Sequence, residues 1–251
     1  MTLSKHVLSS ARLSARDRLI VALDVSTLDE AAALIEELAG EVGMFKFGLE
    51  LFSSCGTALF ELAERSGIKI FFDGKFHDIP NTTAQASRAI ARQKVAMFNL
   101  HATGGSAMMQ AAAAAVKETA AEIGIQPPAL IGVTILTSMK AETLATELKV
   151  SLPLEHMVLH LAKMAQDAGL DGVVASAKEA SAIRQACGPD FLIVTPGIRP
   201  SWAASDDQAR IVTPGDAIAG GADYIVVGRP IVRADNRVEA ARRIVAELEQ
   251  N

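Results

Sequence analysis

The sequence has few cysteines and no long apolar run. Only two of its 251 residues are cysteines, Cys55 and Cys187, and they stand far apart with no metal-ligand spacing. This predicts free thiols in a reducing compartment, and so a cytoplasmic location, rather than a disulfide framework. No run of about 18 apolar residues occurs, so no membrane-spanning helix and no membrane partner are expected.

The sequence also has no excess of positive charge. Its 24 Lys and Arg residues are outnumbered by 29 Asp and Glu residues, which gives a formal net charge of −5. A nucleic-acid-binding protein usually carries a basic patch or stripe; none is evident, and no nucleic-acid partner is expected. No G-x-G-x-x-G motif follows a strand-like run, which disfavours a dinucleotide-binding sheet.

Half of the residues are hydrophobic, and short apolar runs alternate with longer segments of helical spacing. The runs predicted as strands are Leu19–Leu23, Met44–Phe47, Ile68–Phe72, Ala96–Leu100, Leu130–Ile135, Gly172–Ala175, Phe191–Thr195 and Tyr224–Val227. The segments predicted as helices are Leu28–Leu38, Ala84–Lys94, Ser106–Ile123, Leu154–Ala168, Ala177–Ala186 and Val238–Leu248. This α/β alternation without a linker predicts a single (β/α)₈ TIM barrel, with a doubly wound sheet as the alternative.

The predicted barrel is one catalytic domain over residues 17–251. Residues 1–16 are Ser-rich, with Lys5, Arg12 and Arg16 and no acid before Asp17. A transit peptide can have this composition, but the segment is short and weakly amphipathic. We therefore expect an N-terminal extension or short helix that leads into the first strand.

The most informative segment is D-G-K-F-H-D-I-P-N-T, residues 73–82, which follows the apolar run Ile68–Phe72. On an extended chain Asp73 and Lys75 point to the same face, and Asp78 comes three residues later, beyond the predicted end of the strand. Charges at such a position are unfavourable unless they pair or take part in chemistry. An acid–base–acid cluster is predicted at the carboxyl end of this strand, where barrels place their active sites.

Two more charged residues stand at strand ends. Asp24 follows the first predicted strand, and Lys46 lies near the end of the second. In a barrel they would converge with Asp73 and Lys75, and alternating charges keep one another ionised. A protonated lysine between carboxylates suits a proton donor. The alternative is a salt-bridge network that only closes the top of the barrel, although buried ion pairs stabilise proteins poorly.

A second group of residues has the pattern of a phosphate site. Gly197 and Arg199 follow the seventh predicted strand, and Gly228 and Arg229 follow the eighth. Barrels often bind phosphate at these two loops, where glycine allows close approach and arginine supplies a bidentate donor. The polar segment Ser201–Arg210 between them is predicted to be a mobile lid. The alternative is an ordinary surface loop with solvated arginines.

Taken together, these motifs resemble the bacterial orotidine 5′-phosphate decarboxylase family. The resemblance covers nearly the whole chain through LIVALD, FKFGLELF, FFDGKFHDIPNT, HATGG, VTILTS, VTPGIRP with a downstream DDQARI, and YIVVGRPI. DGKFHDIPNT is highly specific, whereas D-x-K-x-x-D alone is shared with sister families. The resemblance implies a (β/α)₈ barrel that works as a homodimer, without metal or organic cofactor. It also implies decarboxylation of a small nucleotide, orotidine 5′-phosphate, to uridine 5′-phosphate in the last step of UMP synthesis.

The same resemblance implies roles for single residues. Lys75 would be the proton donor and Asp73 would lie beside the departing carboxylate. Lys46 and Asp24 would bind the ribose and complete the charge array. Asp78 and Thr82 would reach into the partner subunit's site. Thr137 would contact the pyrimidine, and Ile79 would be a further substrate contact. The phosphate would be held by Gln208, Gly228 and Arg229, with Arg199 at the base of the closing loop.

Two other functions remain as hypotheses. Relatives that act on keto-sugar phosphates share D-x-K-x-x-D but use magnesium, and they typically carry a Glu where this chain has Lys46. A cation in place of a metal ligand argues against a metal site here. A non-catalytic barrel that binds nucleotide phosphates is the second hypothesis, and it would not need the charged cluster in the barrel mouth.

Overall fold

The computed structural model describes residues 13–200, 202 and 212–250. Its strands are β1 (Leu19–Leu23), β2 (Met44–Phe47), β3 (Ile70–Phe76), β4 (Met97–His101), β5 (Ala129–Val133), β6 (Gly172–Val174), β7 (Leu192–Pro196) and β8 (Tyr224–Val227). All pair in parallel in chain order, and β8 pairs with β1 to close the barrel. The predicted (β/α)₈ barrel is confirmed, and the doubly wound sheet is excluded.

The helices lie between and after the strands. They are α1 (Leu28–Leu38), α2 (Leu49–Cys55), α3 (Ala58–Ser66), α4 (Pro80–Arg92), α5 (Ser106–Ile123), α6 (Ala141–Thr146), α7 (Leu154–Asp167), α8 (Ala177–Cys187), α9 (Pro214–Ala219), α10 (Arg229–Val232) and α11 (Arg237–Glu249). The bounds of α1 and α5 agree with the prediction, whereas α2, α3, α6, α9 and α10 were not predicted. No helix within the described ranges is long and apolar enough to cross a membrane.

The first helix shows how the local sequence sets an element. Thr27 and Glu30 form a capping box, in which the Thr27 hydroxyl accepts from the Glu30 N–H and the Glu30 carboxylate accepts from the Thr27 N–H. This satisfies backbone donors that a helix start leaves unpaired. Leu34, Ile35 and Leu38 are buried against the barrel, as their helical spacing predicts.

The third strand is longer than the predicted run Ile68–Phe72, because β3 continues to Phe76. Its pairing with β4 shifts register between Phe72 and Phe76. Within this shift Lys75 has a φ of 49°, a left-handed conformation that is uncommon for a residue with a side chain. Asp73 and Lys75 therefore lie in an irregular strand end, and not on the extended chain after it.

An aromatic cluster packs outside this irregular strand end. Its rings contact one another with centroids 5.0 to 6.1 Å apart in tilted or edge-on geometry, and they belong to Phe52, Phe60, Phe72, Phe76 and Phe98. A Cβ added at Gly74 would lie 2.5 Å from Phe72 Cε1. The packing of Phe72 therefore requires a glycine between Asp73 and Lys75.

Apolar side chains fill the lower part of the barrel, and polar side chains lie above them. Side chains two residues apart on a strand share a face. Met44, Phe71 and Met97 belong to the apolar cluster inside the barrel. Two residues further along the same strands, on the same face, are Lys46, Asp73 and Asn99. The polar side chains at the barrel mouth thus lie directly above a layer of apolar side chains, here called the floor, which includes Met44, Phe71 and Met97.

At the opposite end of the barrel, Arg184 of α8 joins the chain segments that enter β7 and β8. Its guanidinium lies 2.7 Å from the Asp223 carboxylate, which is 3% exposed and also accepts from the Ile193 N–H. Burial raises the pKa of Asp223 above its ordinary value, and neither the Ile193 N–H nor Arg184 offsets this fully. Arg184 also donates to the carbonyl oxygens of Gly188, Pro189, Phe191 and Gly221.

We predict that Arg184→Met lowers the free energy of unfolding by about 3–5 kcal/mol, because Asp223 would stay buried without its charge partner. Urea unfolding followed by circular dichroism measures this change. Arg242→Met is the matched control, since Arg242 binds the Glu41 carboxylate through two nitrogens at the surface and exposed pairs contribute little. Equal losses in the two variants would contradict the role given to the buried pair.

Candidate active site

Four charged side chains meet at the carboxyl ends of the first three strands. Lys46 Nζ lies 3.2 Å from Asp73 Oδ2 and 3.7 Å from Asp24 Oδ1. Lys75 Nζ lies 2.6 Å from Asp73 Oδ1. The contacts therefore run Asp24–Lys46–Asp73–Lys75, with the sign of the charge alternating at each step. These four residues, here called the charge array, are those that the sequence predicted to converge.

The middle of the charge array is largely shielded from water. The Asp73 side chain is 13% exposed, that of Lys46 is 12% exposed, and the outer Asp24 is 58% exposed. Burial raises the pKa of Asp73. The Lys46 and Lys75 ammonium groups and the hydrogen bonds from Lys75 and Asn99 together lower this pKa by a larger amount. The net pKa lies below the ordinary value, so Asp73 is ionised at neutral pH.

Asn99 of β4 also contacts the charge array, although none of the sequence motifs predicted a role for it. Its side chain is 1% exposed. Its Nδ2 donates to Asp73 Oδ1 at 2.7 Å, and its Oδ1 accepts from the Lys75 backbone N–H at 2.8 Å. One feature of the sequence could have identified Asn99: it is an amide at an inward-facing position of an otherwise apolar strand, two residues before His101.

Two histidines border the site beside Lys75. The rings of His77 and His101 lie 5.5 Å apart between centroids. Burial, together with the nearby charges of His77 and Lys75, lowers the pKa of His101 against the opposing effect of Asp73. His101 is therefore neutral at neutral pH and adds no charge to the array.

Asp78 does not join the charge array of its own chain, so that part of the predicted acid–base–acid cluster is wrong. Its carboxylate accepts from the Ile79 N–H at 2.6 Å, and no described hydrogen bond or ion pair joins it to Asp73 or Lys75. Asp78 lies in the short connection between β3, which ends at Phe76, and α4, which starts at Pro80. Asp78, Ile79 and Thr82 are all exposed.

The Gly–Arg turns lie at the same end of the barrel as the charge array. Gly228 directly follows β8, and a Cβ there would lie 3.3 Å from Asp24 Oδ2, so glycine leaves this approach open. Arg229 is the exposed first residue of α10. Arg199 follows β7 and donates its backbone N–H to the Val212 carbonyl at 3.2 Å.

The remaining predicted substrate contacts are placed only in part. Thr137 is exposed in a turn after β5, at the same end of the barrel. Gln208 and most of the predicted lid, Ser201–Arg210, lie outside the described residues. Trp202 is described, and its indole N–H donates to the Glu247 carboxylate of α11 at 3.1 Å.

Fold and site together define a barrel enzyme, because ionisable side chains gather at the carboxyl ends of the strands above an apolar core. The sequence profile of the orotidine 5′-phosphate decarboxylase / HUMPS family matches residues 17–244. The chain belongs to this family.

Similar proteins agree with this assignment. A protein of Moorella thermoacetica named orotidine 5′-phosphate decarboxylase is 50% identical over 95% of this chain and 94% of its own length. A protein of Syntrophotalea carbinolica with the same name is 52% identical over 94% of this chain and 96% of its own. The crystal structure of orotidine 5′-phosphate decarboxylase from Lactobacillus acidophilus superimposes with a TM-score of 0.82, at 36% identity, over 92% of this chain and 98% of that one.

We predict that Lys46→Met raises the pKa of Asp73, because it removes one of the two cations that offset the burial of this carboxylate. The carboxyl carbon of Asp73, followed by ¹³C NMR, should titrate at higher pH than in the unmodified chain. Lys163→Met is the control, since Lys163 pairs with Asp167 on the exposed face of α7. An Asp73 titration that is the same in both variants would contradict the role given to Lys46.

Proposed function

We propose that this chain decarboxylates orotidine 5′-phosphate to uridine 5′-phosphate and carbon dioxide without a cofactor, as the last step of UMP synthesis. The observation that carries the proposal is the charge array Asp24–Lys46–Asp73–Lys75 in a chain of this family. Relatives about half identical to it over nearly its whole length bear the name of this enzyme.

The reaction needs a fixed positive charge and a proton. Loss of carbon dioxide leaves a carbanion on the ring carbon that held the carboxylate, and no adjacent carbonyl can take up its charge. Lys75 has its ammonium held 2.6 Å from Asp73 Oδ1. An ammonium group oriented in this way stabilises negative charge as it develops, without reorganisation, and then delivers the proton. In this scheme Lys75 is the proton donor.

The other members of the charge array position the substrate. Asp73, ionised and shielded from water, would face the substrate carboxylate, and loss of carbon dioxide would relieve the repulsion between them. Lys46 would donate a hydrogen bond to a ribose hydroxyl. Asp24, which is the most exposed of the four side chains, would accept one.

The phosphate and the pyrimidine bind at the loops after later strands in this proposal. Gly228, Arg229 and Gln208 would hold the phosphate, with Arg199 at the base of the loop between β7 and β8. Thr137 and Ile79 would contact the pyrimidine end of the ligand. Binding energy from the remote phosphate can then be used to order the charged groups around the reacting carbon.

The position of Lys46 distinguishes this function from the magnesium-dependent chemistry of keto-sugar phosphate relatives. Its ammonium lies between the Asp24 and Asp73 carboxylates. A divalent cation would need those oxygens, and a lysine between them repels it. A non-catalytic nucleotide binder is disfavoured for a different reason, because binding alone does not require an array of four charges whose middle is shielded from water.

We further propose that the protein acts as a homodimer in the cytoplasm. Asp78 lies just before α4 and Thr82 lies in its first turn; both are exposed, and Ile79 between them is 66% exposed. Such an apolar residue among polar neighbours is suited to an interface. In the dimer, Asp78 and Thr82 would complete the site of the partner subunit. The free thiols Cys55 and Cys187 fit a reducing compartment.

We predict that the purified protein converts orotidine 5′-phosphate to uridine 5′-phosphate in excess EDTA, and that Lys75→Met lowers kcat/KM by at least about 1,000-fold. Loss of the substrate's ultraviolet absorbance and identification of the product measure both. Met keeps most of the side-chain stem, so the variant should remain folded.

Lys94→Met is the control for this experiment. Lys94 is also a lysine with positive φ, 57°, but it pairs with Glu64 on the surface before β4, at the other end of the barrel. It should leave turnover unchanged. Activity that appears only with magnesium would contradict the cofactor-free reaction, and a fully active Lys75→Met would contradict the assignment of the proton donor.

Shared sites predict complementation between inactive variants. Lys75→Met and Asp78→Asn homodimers should each have little activity. After subunit exchange, about half of the dimers would be hybrids with one intact site, which restores about a quarter of the unmodified activity.

Asp73→Asn mixed with Lys75→Met is the matched control, because both residues serve the site of their own chain and every hybrid site carries one lesion. If the first mixture gains no more activity than the second, Asp78 does not act across the dimer.

A further inference from the structure

We infer that Asn99 is a positioning residue for the proposed decarboxylation: its side-chain amide holds the Asp73 carboxylate and the Lys75 backbone in the geometry that aims the Lys75 ammonium. The inference rests on the proposed function and adds a fifth residue to the four of the charge array. Asn99 lies on β4, whereas Asp73 and Lys75 lie on β3, so the amide joins two neighbouring strands.

The chemistry of its partners fixes the orientation of the Asn99 amide. The Lys75 backbone N–H can only donate, and it lies 2.8 Å from Asn99 Oδ1. The ionised Asp73 carboxylate can only accept, and its Oδ1 lies 2.7 Å from Asn99 Nδ2. A flipped amide would place two donors together on one side and two acceptors on the other. The side chain is thus matched to both partners in one orientation only.

The bond to the Lys75 N–H supports an unusual backbone. Lys75 has a φ of 49° within the register shift between β3 and β4. A side-chain-bearing residue stays in this conformation only where its surroundings hold it there. The Asn99 carbonyl takes the place of a strand-to-strand acceptor at this point. Because this backbone conformation sets the direction of the Lys75 side chain, Asn99 acts on the proton donor through its main chain.

The bond to Asp73 fixes how the carboxylate is rotated. Asp73 Oδ1 accepts from Asn99 Nδ2 and from Lys75 Nζ at 2.7 and 2.6 Å, while Oδ2 lies 3.2 Å from Lys46 Nζ. With Oδ1 held by the buried amide, each oxygen faces one lysine. Without the amide, the carboxylate could turn about its terminal bond and release Lys75.

Asn99→Asp tests this role through its pH dependence. A protonated carboxyl has the shape of the amide, and its carbonyl can accept from the Lys75 N–H while its hydroxyl donates to Asp73. An ionised carboxyl cannot donate and places a second negative charge against Asp73. We expect kcat relative to the unmodified chain to be high at low pH. This ratio of kcat values should fall about tenfold per pH unit above the pH at which the proton shared by the carboxyl groups of residues 73 and 99 is lost.

Among the described residues, the other ionisable groups beside Asn99 and its partners Asp73 and Lys75 are Lys46, His77 and His101. All are retained in the variant, so the ratio of activities isolates the substituted group. Asn99→Leu has similar size but makes neither hydrogen bond. It should lower kcat at least about 100-fold at every pH, with a smaller change in KM, because a displaced proton donor affects the chemical step.

Asn236→Asp is the matched control. Asn236 caps α11 by accepting from the Glu239 N–H at 3.0 Å, and aspartate caps as well as asparagine. This variant should follow the unmodified pH profile. If kcat of Asn99→Asp relative to the unmodified chain does not change with pH, whether it is high or low, the inference is overturned. An Asn99→Leu variant that keeps more than about a tenth of the unmodified kcat would also overturn it.

A second readout separates this inference from the proposed function. In Asn99→Asp, ¹³C NMR should show the carboxyl carbons of residues 73 and 99 titrating as a coupled pair. Independent titrations would refute the placement of the side chain. Coupled titrations in a protein whose unmodified form does not decarboxylate orotidine 5′-phosphate would instead overturn the proposed function.

Discussion

The ion pairs of Asp73 with two lysines are the interaction on which the site depends. A carboxylate this well shielded from water is unfavourable unless several partners hold it, and here Lys46, Lys75 and Asn99 do so. Asp223 at the other end of the barrel shows the contrast. Its carboxylate has Arg184 and the Ile193 N–H as hydrogen-bond partners and Arg18 as a second nearby positive charge, and burial still raises its pKa. At Asp73 the two lysines and Asn99 outweigh the effect of burial, so its pKa lies below the ordinary value and the carboxylate stays charged.

The barrel supplies what these charges need. Inward-facing positions recur every second residue, so a strand can carry an apolar side chain in the floor and a polar one above it, as β2, β3 and β4 do. Met44 lies below Lys46, Phe71 below Asp73, and Met97 below Asn99. The floor excludes water from beneath, which strengthens the interactions between the charges. The hydrogen bonds of Arg184 lie at the opposite end of the barrel, so the polar groups that stabilise the fold there are separate from those of the site.

The sequence predicted the barrel and the charge array because both follow from periodicity. Alternating runs identified the strands, and Asp24, Lys46, Asp73 and Lys75 all lie at strand ends. The rest depended on tertiary structure. The register shift that makes Lys75 left-handed arises from pairing between β3 and β4, and the role of Asn99 exists only across that pair. Asp78 was expected in the charged cluster of its own chain because the start of α4 at Pro80 could not be read from periodicity. Helices such as α10, four residues long, are too short to show a period.

The irregular end of β3 limits how this chemistry could be transferred to another protein. Lys75 reaches Asp73 through a backbone detour that requires a glycine at position 74, beneath the Phe72 ring, and an amide on the adjacent strand. Four charged side chains grafted onto a regular barrel would stand at the correct strand ends, but the lysine would point elsewhere. The unit that a protein engineer would have to transplant is therefore a pair of strands with their aromatic backing, and not a set of four residues.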